Sequence, residues 1–123
     1  MFNLKKFIAP KLRYMNNATG IFKGNVNLEE VYFPHLTCIS GDYVSTDTGK
    51  GYNFMTNVSL TAAYLPKLMS GMTLDFAYCV NLISTDFSSL NAVEVDMFRD
   101  CISLKEIKLP KVKRIKERAF YRC

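Results

Sequence analysis

The chain has 123 residues, of which 49% are hydrophobic and 22% are charged, and its formal net charge is +5. This length predicts one domain or part of one, and the balance of apolar and charged residues excludes a disordered protein. No apolar run reaches the roughly 18 residues that a membrane-spanning helix needs, so the sequence predicts no membrane span.

Five short phrases of the form Leu-x-x-apolar-x-apolar follow one another along the chain. Their apolar and polar residues alternate, which is the period-2 pattern of a half-buried β-strand. A proline ends most of them, because proline has no amide hydrogen to donate to a neighbouring strand, although Ser88 replaces it in the fourth phrase. The phrases begin at Leu4, Leu28, Leu60, Leu82 and Leu104.

A phenylalanine recurs every 22 residues in the second half of the chain, at positions 54, 76, 98 and 120. Phe22 begins the same pattern earlier, but ten extra residues separate it from Phe54. The surplus corresponds to residues 42–51, which are polar and rich in turn formers and are therefore predicted to form an inserted loop. A fixed period of about 20–50 residues is typical of stacked structural repeats. The sequence thus predicts a repeat solenoid, mainly β with little helix, containing about five repeats.

The third residue after each phenylalanine is either asparagine or cysteine. Buried turns leave backbone groups that need hydrogen-bond partners, and an asparagine amide or a small thiol can supply them. We expect these residues to form one structural ladder of buried, free side chains. A disulfide is disfavoured because successive thiols point the same way, and a zinc site is disfavoured because a ladder spreads its ligands along a line. The ladder comprises Asn25, Asn57, Cys79, Cys101 and Cys123.

Residues 94–123 closely resemble the BspA-type leucine-rich repeat, and residues 54–93 resemble it well. That motif reads Phe-x-x-Cys-x-x-Leu-x-x-Ile-x-Leu-Pro, and it is matched here from Phe98 to Pro110. The resemblance implies a right-handed superhelical solenoid with a parallel sheet on its concave face. It also implies that the protein binds other proteins or host surfaces, as surface proteins of bacteria and protist parasites do. It does not imply catalysis.

In such a solenoid, the residues that alternate with the core-facing ones would point outward, and in successive strands they would form one continuous row on the concave face. Two tyrosines in this row are the residue type that recognition surfaces favour, because their rigid rings supply contact area at low entropy cost. The alternative is that the tyrosines only stabilise the sheet through cross-strand pairing. The predicted ligand-binding residues are Ile8, Tyr32, Tyr64, Asp86 and Lys108, with Glu30 beside them.

The sequence contains no recognisable catalytic or cofactor motif. Its single histidine, His35, has no paired nucleophile nearby, and there is no glycine-rich phosphate loop. We therefore expect no enzyme activity, no cofactor and no metal site.

The basic residues are concentrated near the carboxyl end. Residues 99–123 carry nine lysines and arginines against three acidic residues, a net charge of +6. Such a segment can attract nucleic acid or an anionic surface. Nucleic-acid binding is nevertheless disfavoured here, since no aromatic stacking platform lies among these residues, and a solvated outer face is the simpler interpretation.

The chain stops at a ladder residue, where another strand phrase is expected to follow. Solenoids need caps at their ends, so we expect residues 1–123 to be one leucine-rich-repeat domain within a longer array, or to associate with themselves through the last coil. The leading hypothesis is a protein-binding or adhesion module, and the alternative is a structural spacer without its own ligand. The compartment stays open: no signal peptide is recognisable, and a cell-surface or secreted location is suggested only by the family resemblance.

Overall fold

The computed structural model describes residues 4–15, 20–40 and 53–123; the inserted loop predicted at residues 42–51 lies outside them. These ranges contain turns and eight short strands and no helix. The strands are β1 (Lys6–Ile8), β2 (Tyr14–Met15), β3 (Glu30–Tyr32), β4 (Cys38–Ile39), β5 (Ala62–Tyr64), β6 (Ser84–Asp86), β7 (Ala92–Val93) and β8 (Arg114–Ile115).

The main sheet contains four parallel strands in the order β1-β3-β5-β6. Equivalent residues of successive repeats pair directly, so that Phe7, Val31, Ala63 and Thr85 stand side by side. Two smaller parallel pairs, β2–β4 and β7–β8, lie farther along each repeat, and a bridge from Cys38 to Ser70 extends the first of them. The predicted β-solenoid with a parallel sheet is confirmed.

We number the coils of the solenoid 1 to 5 by the leucines that open them, which are Leu4, Leu28, Leu60, Leu82 and Leu104. Each coil starts at the main sheet, continues through the smaller sheets and closes at a turn that holds the recurring phenylalanine. We call this turn the Phe corner. The core lies between these three sides and contains aliphatic residues with less than a tenth of their surface exposed, such as Leu60, Leu65 and Leu68.

The five phenylalanines of the Phe corner form one stacked column. Phe54 and Phe76 have ring centroids 4.7 Å apart with an interplanar angle of 8°, and Phe98 and Phe120 lie 5.4 Å apart at 3°. Two more rings, Phe33 and Phe87, meet the column edge-on. Stacked and edge-to-face pairs of this kind stabilise beyond the area they bury.

The backbone beside each phenylalanine adopts left-handed conformations. The second residue after the ring has φ between 59° and 70° in every coil, and the second residue before it is left-handed wherever the structure describes it. Only glycine adopts this conformation without a steric cost, and coil 1 has glycine at both places. The residues are Gly20 and Gly24, then Thr56, Leu74, Tyr78, Asp96, Asp100, Arg118 and Arg122.

The fifth strand phrase does not join the main sheet, which corrects the expectation from the sequence. Residues 105–109 form no strand, and no backbone hydrogen bond connects them to β6 or its flanks. Coil 5 is nevertheless attached to coil 4 elsewhere: the Phe98 amide donates to the Ala119 carbonyl at 2.8 Å, and β7 pairs with β8. The coil is therefore held on two sides and open on the third.

Candidate functional site

The predicted row on the face of the main sheet exists over four strands. The register places Ile8 beside Tyr32, Tyr32 beside Tyr64, and Tyr64 beside Asp86. Ile8 is 55% exposed and Tyr64 is 41% exposed, whereas Tyr32 is half-buried between them. The tyrosine rings tilt against each other with centroids 5.9 Å apart. We call Ile8, Tyr32 and Tyr64 the tyrosine strip.

Tyr32 is held in place by its charged neighbours. Its hydroxyl donates to Glu30 Oε1 at 3.4 Å, and Lys6 Nζ lies 5.0 Å from the centre of its ring. Lys6 also forms an ion pair with Glu30 at 3.8 Å. The Tyr64 hydroxyl, in contrast, makes no hydrogen bond to any residue that the structure describes. One ring is thus positioned and the other is available for an external contact.

A small hollow lies on this strip. It has a volume of about 180 Å³ and is lined by Lys6, Ile8, Tyr32, Pro34 and Tyr64. Sites for small organic ligands usually enclose about 300–1,000 Å³. The hollow is therefore too small for such a ligand and has the size of a site for one inserted side chain.

Lys108 does not belong to the row, which is a second correction. The register of the main sheet ends at Asp86, and Lys108 lies on the part of coil 5 that is separated from β6. The Asp86 carboxylate instead accepts hydrogen bonds from the Ser88 amide and hydroxyl, at 3.1 and 2.7 Å. A row that crosses several strands requires backbone pairing between them, and that pairing is missing between coils 4 and 5.

The ladder beside the Phe corner is formed by hydrogen bonds from Asn57 onward. The thiols of Cys79, Cys101 and Cys123 each donate to the carbonyl of the phenylalanine one coil earlier, at 3.0–3.2 Å. The Asn57 amide nitrogen does the same to Phe22 at 2.7 Å and also reaches Phe54. Asn25 is half-buried. These carbonyls already accept an amide of their own coil at 3.2–3.3 Å, so the ladder side chains add a second hydrogen bond that comes from the next coil.

The four cysteines of this protein are free thiols that differ in burial. Cys79 and Cys101 are buried, and burial raises the pKa of Cys79 to about 12 and raises the pKa of Cys101 as well. The expectation of burial is wrong for Cys123, which is exposed. Cys38 lies outside the ladder, is half-buried and accepts a hydrogen bond from the Ser70 hydroxyl.

Several of the basic residues near the carboxyl end are paired within the protein. Arg118 reaches Asp96 at 3.1 Å, and Lys116 reaches Glu94 at 2.6 Å. Arg99 contacts Asp96 and Asp100 and lies 5.0 Å from the centre of the Tyr121 ring. The positive field of this segment is consequently weaker than its sequence suggests.

A buried polar cluster next to the Phe corner was missed by the sequence reasoning. Asp75 accepts hydrogen bonds from the amide of Asn53, from its side chain at 2.8 Å and from the Met72 amide. Burial raises the pKa of Asp75 to about 6, and these hydrogen bonds oppose the shift. The sequence does contain a sign of this cluster. The residue directly before the phenylalanine is apolar in coils 1, 4 and 5, whereas it is polar in coils 2 and 3, where it is Asn53 and Asp75.

Metal-ligand clusters and membrane-spanning helices are absent from the described residues. These residues contain no group of three or more His, Cys, Asp or Glu side chains that could hold a metal ion, and His35 is exposed. Residues 4–15, 20–40 and 53–123 also contain no helix that is long and apolar enough to span a membrane.

A family model, the BspA type leucine-rich repeat region, matches residues 3–123 in 6 copies. No curated protein and no solved structure matches the chain.

Proposed function

The chain belongs to the BspA-type leucine-rich repeat family, and on that premise we propose that it is a non-catalytic protein-binding module whose contact surface is the tyrosine strip. The observation that carries the proposal is the exposure of two apolar side chains, Ile8 at 55% and Tyr64 at 41%, on either side of a positioned aromatic ring. In the organism, such a module would act in adhesion, by binding a protein on another cell or surface.

The chemistry of the strip favours a protein ligand over a small molecule. The hollow of about 180 Å³ accepts one side chain, and exposed tyrosines are enriched among the residues that dominate protein interfaces. Glu30 and Lys6 border one side of the strip with opposite charges, so polar residues adjoin an apolar centre. This arrangement is typical of interface anatomy.

A peptide selection tests the proposal, since it needs no ligand to be chosen in advance. A phage-displayed library of random dodecapeptides is panned in parallel on the wild type, on a Tyr32→Ala/Tyr64→Ala double variant and on Met69→Ala. Met69 is 50% exposed and lies outside the main sheet, so Met69→Ala is a matched control for the loss of an exposed apolar group. Unfolding curves confirm that all three proteins are folded.

We expect peptides that are enriched on the wild type and on Met69→Ala but not on the double variant. Their Kd should rise by at least about ten-fold when the two tyrosines are removed, which is the size of effect that interface hot spots show. Peptides that bind the double variant equally well would refute the strip as the contact surface. Failure to enrich any peptide would favour the alternative, a structural spacer without its own ligand.

We further propose that the protein associates with itself through coil 5. The apolar residues Leu109, Val112 and Phe120 are only partly buried there, and Ile115 is 57% exposed. Sedimentation velocity over a range of concentrations should show a growing oligomer fraction that Ile115→Glu abolishes. A constant monomer in both proteins would exclude this association.

Attachment to nucleic acid or to an anionic surface is not the function we propose. Arg99, Lys116 and Arg118 are engaged in ion pairs with acidic residues of the protein. Within residues 99–123, the basic residues that remain unpaired lie on one coil, and no aromatic side chains are arranged between them as a stacking platform.

A further inference from the structure

The separation of coil 5 from β6 creates a cleft with two unpaired backbone edges. At each earlier junction between coils, one backbone carbonyl accepts hydrogen bonds from two amides of the next coil. The Lys5 carbonyl accepts from the amides of Glu29 and Glu30, and the carbonyls of Glu29 and Thr61 each accept two amides in the same way. At the last junction, the equivalent Ile83 carbonyl accepts no hydrogen bond in the described structure. The amides of Lys105 and Glu106 have no acceptor there either.

The space between these edges has the size of a binding site. The cavity measures about 730 Å³, within the range of about 300–1,000 Å³ that ligand sites enclose. Ile83–Thr85 form one wall, Lys105–Lys108 form the other, and Ile102 lies at one end. We call this space the coil 4/5 cleft.

The cleft is bounded by well-connected structure on its other sides. The Phe98 amide donates to Ala119, the Lys113 amide donates to Asn91 at 2.7 Å, and the Cys123 thiol donates to Phe98. The ladder and the stacked rings therefore continue from coil 4 into coil 5 without interruption. The open side is a local feature of the strand phrases and not a general detachment of the last coil.

The unused groups that line the cleft indicate what it can bind. Thr85 occupies the station that faces the core, yet its hydroxyl makes no hydrogen bond within the described residues. Ile83 and Ile102 are 61% and 62% exposed at the mouth. Lys105 and Lys108 are exposed and have no ion-pair partner among the described side chains.

We propose that the coil 4/5 cleft binds an extended peptide segment of a partner protein, one that combines acidic and β-branched residues. An inserted strand would pair with the free edge of β6 and with the amides of residues 105–106, which is recognition by β-strand addition. Its acidic side chains would meet Lys105 and Lys108, which outnumber Glu106, the one acidic residue that lines the cleft. Its apolar side chains would cover Ile83 and Ile102. This site is separate from the tyrosine strip and does not depend on it.

Two synthetic heptapeptides provide the test: an acetylated, amidated peptide of alternating Glu and Val, and its alternating Lys and Val counterpart. Binding is measured by fluorescence anisotropy at physiological salt, and amide hydrogen exchange is followed in parallel. We expect the acidic peptide to bind at least about ten-fold more tightly than the basic one, since like charges across an interface are strongly unfavourable. The amides of Lys105 and Glu106 should exchange quickly in the free protein and become protected by the acidic peptide.

Two double variants with the same change in net charge distinguish binding in the cleft from non-specific attraction to the positive charge of coil 5. Lys105→Glu/Lys108→Glu should reverse the preference between the two peptides. Lys111→Glu/Lys113→Glu changes the charge of the same coil by the same amount, away from the cleft, and should leave the preference in place.

An acidic peptide methylated at alternate backbone nitrogens should lose binding, because it lacks the donors that strand pairing needs. Tyr64→Ala should have no effect, so that this result and the outcome for the tyrosine strip are independent.

Several outcomes would overturn the proposal. These are the absence of acidic-peptide binding, equal weakening by the two double variants, and undiminished binding of the methylated peptide. Protection of residues 105–108 that rises with protein concentration alone would also overturn it, because a second copy of the chain would then be the occupant.

Discussion

Coils 4 and 5 meet on two sides of the solenoid in opposite ways. At the Phe corner, the amides of Phe98 and Asp100 donate to Ala119 and Tyr121, repeating two contacts that join every earlier pair of coils. On the side of the main sheet, the corresponding contacts join coils 1 to 4 but are absent between coils 4 and 5. The same two coils are thus in register at one side and separated at the other.

This difference shows that coils 4 and 5 stay in register without the main sheet, through backbone and side-chain contacts at the Phe corner. There the ring column and the ladder connect each coil to the previous one through specific groups. On the main sheet, contact depends on backbone pairing, and the core-facing stations Ala63, Thr85 and Ile107 vary in size and polarity. The Phe corner therefore tolerates an opening on the opposite side.

The largest effect is expected from removing one ring of the column. Phe76 is fully buried and stacks on Phe54 and Phe98, so Phe76→Ala should lower the free energy of unfolding by about 3–5 kcal/mol. Phe120 stacks on a single neighbour and is half-buried, so Phe120→Ala should cost about half as much. Urea unfolding curves measure both. Equal losses would mean that the column does not align the coils.

The polar cluster at the Phe corner should make stability depend on pH. The pKa of Asp75 is raised from 3.8 to about 6, so the folded protein retains a proton that the unfolded chain releases. Stability from this group is therefore present below about pH 4 and is lost as the pH rises through 6, by about 3 kcal/mol for a shift of about two pH units.

The control for this pH dependence is Asp75→Asn, which cannot titrate. Free energies of unfolding measured at intervals from pH 4 to pH 7 should show a smaller decline in the variant than in the wild type. Parallel pH profiles for the two proteins would show that Asp75 remains ionised in the folded state.

Matched leucines can locate the separation between coils 4 and 5. Leu65 is fully buried in coil 3, whereas its counterpart Leu109 is only partly buried. Leu65→Ala should cost about 2–5 kcal/mol and Leu109→Ala about 1 kcal/mol. Leu60 and Leu104, which open the same two coils, are both buried, so their alanine variants should differ by less than about 1 kcal/mol. A cost for Leu109→Ala equal to that for Leu65→Ala would indicate a closed sheet in solution.

The smallest effect concerns the left-handed backbone at the Phe corner. Thr56 has φ of 60°, and a β-branched residue is unfavourable there, so Thr56→Gly should stabilise the protein by about 1 kcal/mol. Gly24 occupies the same station and has room for an added Cβ, which would make an ordinary van der Waals contact with Thr56 Oγ1 at 3.9 Å. Gly24→Thr should therefore destabilise by about 1 kcal/mol through backbone strain alone. Thermal unfolding of both variants checks the opposite signs.

Much of the fold could be predicted from spacing alone. The recurrence of Phe54, Phe76 and Phe98 identified the coils, and the alternation around Tyr32 and Tyr64 identified which side chains share a face. These predictions succeeded because each depends on contacts between equivalent stations, which a strict period brings together in any stacked arrangement.

The remaining features depended on how neighbouring coils approach each other. The sequence determined the period, the ladder and the position of every strand phrase, since local alternation and residue size encode them. Only the tertiary structure decided that Lys108 leaves the row, that Arg118 is neutralised by Asp96 and that Asp75 is buried. The physical reason is that backbone pairing, ion pairing and desolvation all depend on distances between separate coils, which a one-dimensional pattern does not contain.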